Sequence, residues 1–156
     1  MAVRFAREEE LERINELRKQ VNDVHVEGKP EVFKPGFGPD LRDHIFWIWD
    51  DPEHDIVVNE RDGVICGFAV LSHIIRPANP FMFERNFIDI DEFCVDKDFR
   101  RKGVGSEMVE FIKAVAARRG IKRIELNMWE FNESALEFYE AAGFKTFRRY
   151  MEMFIE

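Results

Sequence analysis

The chain has 156 residues, 46% hydrophobic and 35% charged, the size and balance of one globular unit that buries roughly two-thirds of the surface its unfolded form exposes, which excludes disordered and fibrous classes. Its formal charge of −8, with no basic run longer than Arg100-Arg101-Lys102 and otherwise only pairs such as Arg148-Arg149, excludes a nucleic-acid partner; the same balance keeps a chain soluble and also favours a cationic substrate such as an amine. No apolar run approaches a membrane span and the opening MAVRFAREEELERI has no apolar leader core, so the reading is one domain over residues 1–156, cytoplasmic and without membrane contact.

Residues 2–6 read as a short strand, and the run from Glu8 to about Val24 sets Leu11, Ile14, Leu17, Arg18 and Val21 at helical spacing behind an acidic first turn. His25 to Pro39 is crowded with Pro and Gly and reads as an ordered loop, of a length that usually carries function. A second helix follows near Asp40 to Trp49. His54 to Glu60 and Gly63 to Ile75 read as strands joined at Arg61-Asp62-Gly63, where Asp-Gly is a strong hairpin signal. The connection Arg76 to Asn86, with two prolines and closely spaced Phe, leads to a strand over Phe87–Val95. A helix from Gly105 to Arg119 buries Met108, Val109, Ile112 and Val115 and closes at Gly120. Ile121 to Met128 is the next strand, Asn132 to Ala142 a helix ended by Gly143, and Phe144 to Ile155 a final hairpin-like pair turning at Arg148-Arg149. Cys66 and Cys94 lie in apolar strands and read as buried reduced thiols. Sixteen Phe allow an aromatic-lined pocket as well as a core. There is no internal repeat, and no Cys/His spacing indicates a metal.

The informative segment is the turn Arg100-Arg101-Lys102-Gly103-Val104-Gly105 between a strand and a helix. Glycines one residue apart let the backbone fold so that first-turn amides, which lack intrahelical partners, point at one spot. An anion fits there, and three cationic side chains favour one with several phosphate oxygens. A dinucleotide fingerprint fails, because its third glycine falls at Met108 and several strands come before the turn; a triphosphate loop fails for want of Gly-Lys-Ser/Thr.

Two segments give the turn its context: Val95 with Phe99-Arg100-Arg101-Lys102-Gly103-Val104-Gly105, and then Asn132, Ala135, Phe138-Tyr139 and Gly143-Phe144. In these the chain resembles the GCN5-related N-acetyltransferase superfamily over Ile88 to Phe144, with only element order matching before that. The resemblance implies an α/β (α+β) fold: a mixed, mostly antiparallel sheet flanked by helices, with a splay between the fourth and fifth strands. It implies acetyl-CoA as cosubstrate and no metal. The pyrophosphate would lie on the amides of Arg101, Lys102, Gly103, Val104, Gly105 and Ser106, with Arg100 at the motif's first position. Phe93, Cys94 and Val95 would offer main-chain groups to the pantetheine arm, and Cys94 would be an inert strand thiol. Asn132 reads as a helix N-cap on its own chemistry, and the resemblance adds a cofactor contact. Tyr139 corresponds to the position that protonates the departing thiolate, a step a phenol suits because it stays protonated at neutral pH.

An attacking amine must lose a proton, so a base or a water path to one is required. Glu92 comes first and Asp91 second. Strict alternation groups Asp89 and Asp91 with Phe93 on one face and Glu92 with Cys94 on the other, and His25, Glu27 and His73 are remoter candidates. The expected activity is transfer of acetyl to a primary amine, most simply of a small molecule. A peptide or protein amine fits the same chemistry, and a non-catalytic acyl-CoA sensor would keep the turn without acid or base. A homodimer is consistent with the resemblance.

Overall fold

The computed structural model describes residues 2–156. Strand β1 (Val3–Phe5) is followed by a 3-10 turn at Glu8–Glu10, helices α1 (Leu11–Gly28) and α2 (Pro39–Asp50), and strands β2 (His54–Arg61), β3 (Val64–Arg76) and β4 (Arg85–Val95). Then come a 3-10 turn at Lys97–Phe99, helix α3 (Val104–Arg118), strand β5 (Ile124–Leu126) and helix α4 (Glu133–Ala141). The strands form one sheet in chain order, antiparallel from β1 to β4, with β5 parallel to β4. The mixed sheet with flanking helices is the expected architecture.

Each face of the sheet has its own core. On one, the α3 stripe Val104, Met108, Ile112 and Val115 packs on Val57, Ala69, Leu71, Ile88 and Ile90. On the other, Leu11, Ile14 and Leu17 of α1 and Ile45 and Ile48 of α2 pack on Ile56, Val58, Phe68, Val70 and Cys94. These are the faces that the 3.6-residue and 2-residue periods assign to helix and strand. At the β2–β3 junction Arg61 pairs with Val64, leaving the two-residue loop Asp62-Gly63, both with positive φ, the geometry that suits the twist of a tight hairpin.

Four expectations change. Helix α1 continues through Gly28, so the loop contracts to residues 29–38. Strand β5 is three residues long, well short of Ile121 to Met128. Residues 144–156 carry no strand, because the short β5 edge offers no ladder for the expected final hairpin to extend. Strict alternation along β4 also fails. Val70 pairs with Glu92 but Leu71 pairs with Ile90, which leaves Asp91 as the extra residue of a β-bulge. The bulge re-phases the strand: Phe93 and Val95 pack on the same core as Ile88 and Ile90, while Cys94 joins the α1/α2 core. Phe93 is therefore not grouped with Asp91, and the acids of β4 turn toward α1 and α2.

Candidate functional site

Strand β4 is paired along β3 as far as Val95, but its partner on the other edge stops early. Ile88, Asp89 and Ile90 oppose Ile124, Glu125 and Leu126, and beyond Ile90 the edge has no strand neighbour. The two parallel strands therefore splay. A cavity of about 1010 Å3 fills the opening, lined by Ile90–Val95 on one side and Leu126–Trp129 on the other. It passes from the α3/α4 face to the α1/α2 face, with Gly103–Ser106, Ala135 and Phe138 at one end and Arg18, Asn22, His25, Phe37 and Leu41 at the other.

The α3 end is built from main chain. Gly103 caps α3 at φ +80° and Arg101 precedes it at φ +63°, a left-handed path that costs a residue bearing Cβ about 1–2 kcal/mol. No side chain caps the helix. Among the described residues no backbone bond engages the amides of Val104, Gly105 or Ser106, so they are free for a ligand at the wall they line. Gly105 serves a different need, since a Cβ there would stand 2.9 Å from Cζ of Phe138. Its absence lets α4 close on α3. The helix start is tied to the sheet by Glu107, which accepts from Asn59 at 2.9 Å and from Arg61 at 2.8 Å. Arg100 and Arg101 line the cavity. Lys102 does not; its ammonium lies 5.4 Å from the centre of the Phe99 ring.

Asn132 caps α4 by accepting from the Ala135 amide at 3.2 Å, and it also lines the cavity. Seven residues on, Tyr139 is enclosed by Phe93, Phe138 and Phe144, with ring centres 5.4–5.8 Å away. Burial, with a smaller contribution from Cys94, pushes its phenol up to about 12. No hydrogen bond to its hydroxyl occurs among the described residues. Cys94 donates toward the Leu17 carbonyl at 3.7 Å, and burial raises its thiol to about 12, so it stays protonated and weakly nucleophilic.

The α1 end is built from side chains. Arg18, 6% exposed, donates through Nε to Glu92 Oε1 at 3.0 Å and through Nη1 to Asn15 Oδ1 and the Leu41 carbonyl. The other oxygen of Glu92, Oε2, is buried and has no partner among the described residues. A carboxylate oxygen left without a donor is costly and is normally satisfied by a ligand or water. Asp91 accepts from Ser72, and its carboxylate lies 3.6 Å from His54 Nε2, whose Nδ1 is 3.0 Å from Asp51. Asp89, two residues before the bulged Asp91, is raised to about 7 by burial, by a hydrogen bond with Asp91 and by that neighbour's charge.

Of the remoter candidates, His25 reaches the cavity, stacked on Phe33 at 4.8 Å; burial lowers its pKa against the opposing charge of Glu92. His73 is half-buried against Asn86 and, like Glu27, is off the wall. Sequence reasoning overlooked Arg18 as a site residue, although a lone arginine in an apolar helical stripe was the signal. It also overlooked His54, for which distance in sequence left no signal. Among the described residues no group of His, Cys, Asp and Glu is set to hold a metal ion, and no helix is long and apolar enough to cross a membrane.

The sequence model of the acetyltransferase (GNAT) family matches residues 18–144. L-ornithine N5-acetyltransferase NATA1 of Arabidopsis thaliana is 25% identical over 123 residues, 77% of this chain and 52% of its own length. The uncharacterized N-acetyltransferase MJ1207 of Methanocaldococcus jannaschii is 30% identical over 104 residues, 64% of this chain and 42% of its own. The chain thus spans about half the length of the curated relatives it matches. Among solved structures, a tetramutant of the BH1408 protein from Bacillus halodurans superposes with a TM-score of 0.94 at 24% identity, covering 99% of this chain and 100% of that one. Aminoglycoside N-acetyltransferase AAC(6')-Iy in complex with CoA superposes with a TM-score of 0.74 at 20% identity, covering 98% and 93%. At these identities the structures speak to the fold alone.

Proposed function

The chain belongs to the acetyltransferase (GNAT) family, and from that premise we propose that it transfers acetyl directly from acetyl-CoA to a primary amine of a small molecule. The observation that carries the reading is the buried, unpartnered Oε2 of Glu92, held on the cavity wall by Arg18. Glu92 lines the cavity, and a primary amine entering from the α1 side supplies its carboxylate with a donor.

The donor end fits the cosubstrate on its own chemistry. The free amides of Val104 to Ser106, together with Arg100 and Arg101, suit a pyrophosphate, and no Cβ at Gly103 or Gly105 stands in its way. Acetyl-CoA supplies an activated acetyl thioester when bound. The unpaired edge of β4 at Phe93–Val95 offers main-chain groups to an extended amide-bearing arm. Glu92 takes the amine proton, directly or through one water, and Asp91 is the second candidate for that role. Tyr139, held protonated by its enclosure, gives its proton to the departing sulfur. Asn132 orients α4, and Cys94 forms no covalent bond to the acyl group. Lys102 contributes charge only from outside the wall.

Two features favour a small amine. The α1 end is lined by His25, Phe37, Leu41 and Trp129, mostly apolar and aromatic walls of the kind that take a small molecule. The acids of β4 favour a cation, in keeping with the small amines named for two of the proteins above, ornithine and an aminoglycoside.

The test is release of free CoA from acetyl-CoA across a panel of small amines. Glu92→Gln is expected to lower kcat/KM by about 10²-fold or more while thermal stabilisation by CoA is retained, and Tyr139→Phe to lower kcat. If CoA stabilises the chain and no amine supports release, the catalytic reading falls and a non-catalytic acyl-CoA-binding module stands instead.

A further inference from the structure

The α1 end of the cavity carries apolar side chains that no core covers. Val24, Leu41 and Trp129 line it while 37–39% exposed, and Val21 and Phe37 line it half-buried beside them. Large apolar side chains left open around a concave wall mark a surface that takes an apolar ligand. Trp129 is braced for that use. The Phe33 ring meets it edge-on at 4.9 Å and Phe131 stacks on it at 6.2 Å, so its ring is in place before a ligand arrives.

Most polar groups at this end are already engaged. Asn22 donates to the carbonyls of Lys34 and Gly36 and so ties the 29–38 loop to α1. Arg18 spends Nε on Glu92 and Nη1 on Asn15 and the Leu41 carbonyl, and its guanidinium lies 5.6 Å from the centre of the Phe37 ring. Asp91 faces Ser72 and His54 and shares a hydrogen bond with Asp89. Glu137 belongs to α4, at the other end. His25 stacks on Phe33, and burial holds its pKa below the usual value, so it is uncharged at neutral pH. That leaves Oε2 of Glu92 as the buried side-chain acceptor on this wall without a partner among the described residues.

A single free carboxylate oxygen set among apolar side chains fits a ligand divided the same way. We propose that the acceptor is an arylalkylamine, with its one ammonium held at Glu92 and its ring laid against Trp129 and Phe37; this rests on the transfer reading above. A ring is preferred to an alkyl chain because paired rings gain more than their buried area alone supplies. A second ammonium would meet the charge of Arg18, which Glu92 already shares, and a hydroxylated body would give up water contacts that an apolar wall does not replace. The preference of the β4 acids for a cation is kept, and one ammonium meets it.

Measured as free CoA released from acetyl-CoA by the full chain, kcat/KM for phenylethylamine is expected to exceed those for diaminobutane and ornithine by about tenfold or more. Trp129→Ala is expected to raise the KM for phenylethylamine about tenfold while the thermal shift given by CoA is retained. Leu41→Asp places an acid in the first turn of α2, where it is favourable. It is expected to lower kcat/KM for phenylethylamine and raise that for diaminobutane, a reversal that loss of structure does not produce. Calorimetry on the CoA-saturated chain reads acceptor binding apart from turnover. Phenylethylamine bound more tightly than diaminobutane but never acetylated overturns the transfer reading and leaves the ligand class standing. Diaminobutane or ornithine bound and acetylated as well as phenylethylamine overturns the class and leaves the transfer standing. Binding of none of the three overturns both.

Discussion

Along the turn from Arg100 to Ser106 the cavity is walled by main chain, whereas across the splay its other end is walled by side chains from α1, the 29–38 loop, α2 and β4. The first wall needs only a left-handed glycine, a helix start and a close approach by Phe138, all set within one stretch of sequence and one neighbour. The second needs Arg18, Asn15, Leu41 and Glu92 to meet from segments up to 77 residues apart, as in the contact of Cys94 with Leu17. A main-chain wall tolerates changes of side chain but not an added Cβ. A side-chain wall tolerates changes of size but not the loss of a charge partner. In the proposed transfer the first wall meets the donor and the second is where the acceptor is chosen.

The largest effect that would break this contrast is at Arg18. Arg18→Met strands the Glu92 carboxylate and removes the donors to Asn15 and the Leu41 carbonyl, and removing one member of a buried pair costs about 3–5 kcal/mol. Chemical denaturation is expected to show that loss, with stabilisation by CoA preserved in whatever remains folded. A cost under about 1 kcal/mol would mean that the side-chain wall is not held by this pair. Gly105→Ala comes next. Its Cβ would press the Phe138 ring at 2.9 Å, and overpacking of that kind costs about 1–3 kcal/mol. It is expected to weaken CoA binding measured by calorimetry while leaving the KM for the amine nearly unchanged. If the amine KM moved and CoA affinity did not, the two walls would not be separable.

The same contrast decides what could be read beforehand. The turn was legible because its chemistry is local: Gly103 and Gly105 announce the backbone path, and Asn132 and Tyr139 stand at fixed intervals in a helix. The hairpin at Asp62-Gly63 was legible for the same reason, while the mixed sheet with its splay followed from the resemblance. The faces of β4 were not, because the bulge at Asp91 arises from its pairing with β3 and leaves no mark in β4 alone. Nor was the role of His54, which meets Asp91 only through the fold. The hairpin-like pair expected after Phe144 is not formed, and nothing within residues 144–156 alone shows that β5 stops at Leu126.

Asp89 gives the smallest effect and the finest test, since a wall of charged side chains should carry a pH dependence that a wall of amides lacks. An unfolded Asp titrates near 4, but burial and the neighbouring Asp91 raise the folded value to about 7. Between those limits the folded state holds more protons than the unfolded one, so this group's contribution to stability is complete below about pH 4, declines through pH 7 and stays reduced above. Asp89→Asn removes the penalty. Its melting temperature is expected to match that of the parent near pH 4 and to exceed it at pH 8 by on the order of 1 kcal/mol, allowing for the screening of a half-exposed group, or roughly 2–4 °C for a chain of this size. A difference that is flat with pH would show that Asp89 titrates as an ordinary surface carboxylate, and that the bulge does not press the acids of β4 together.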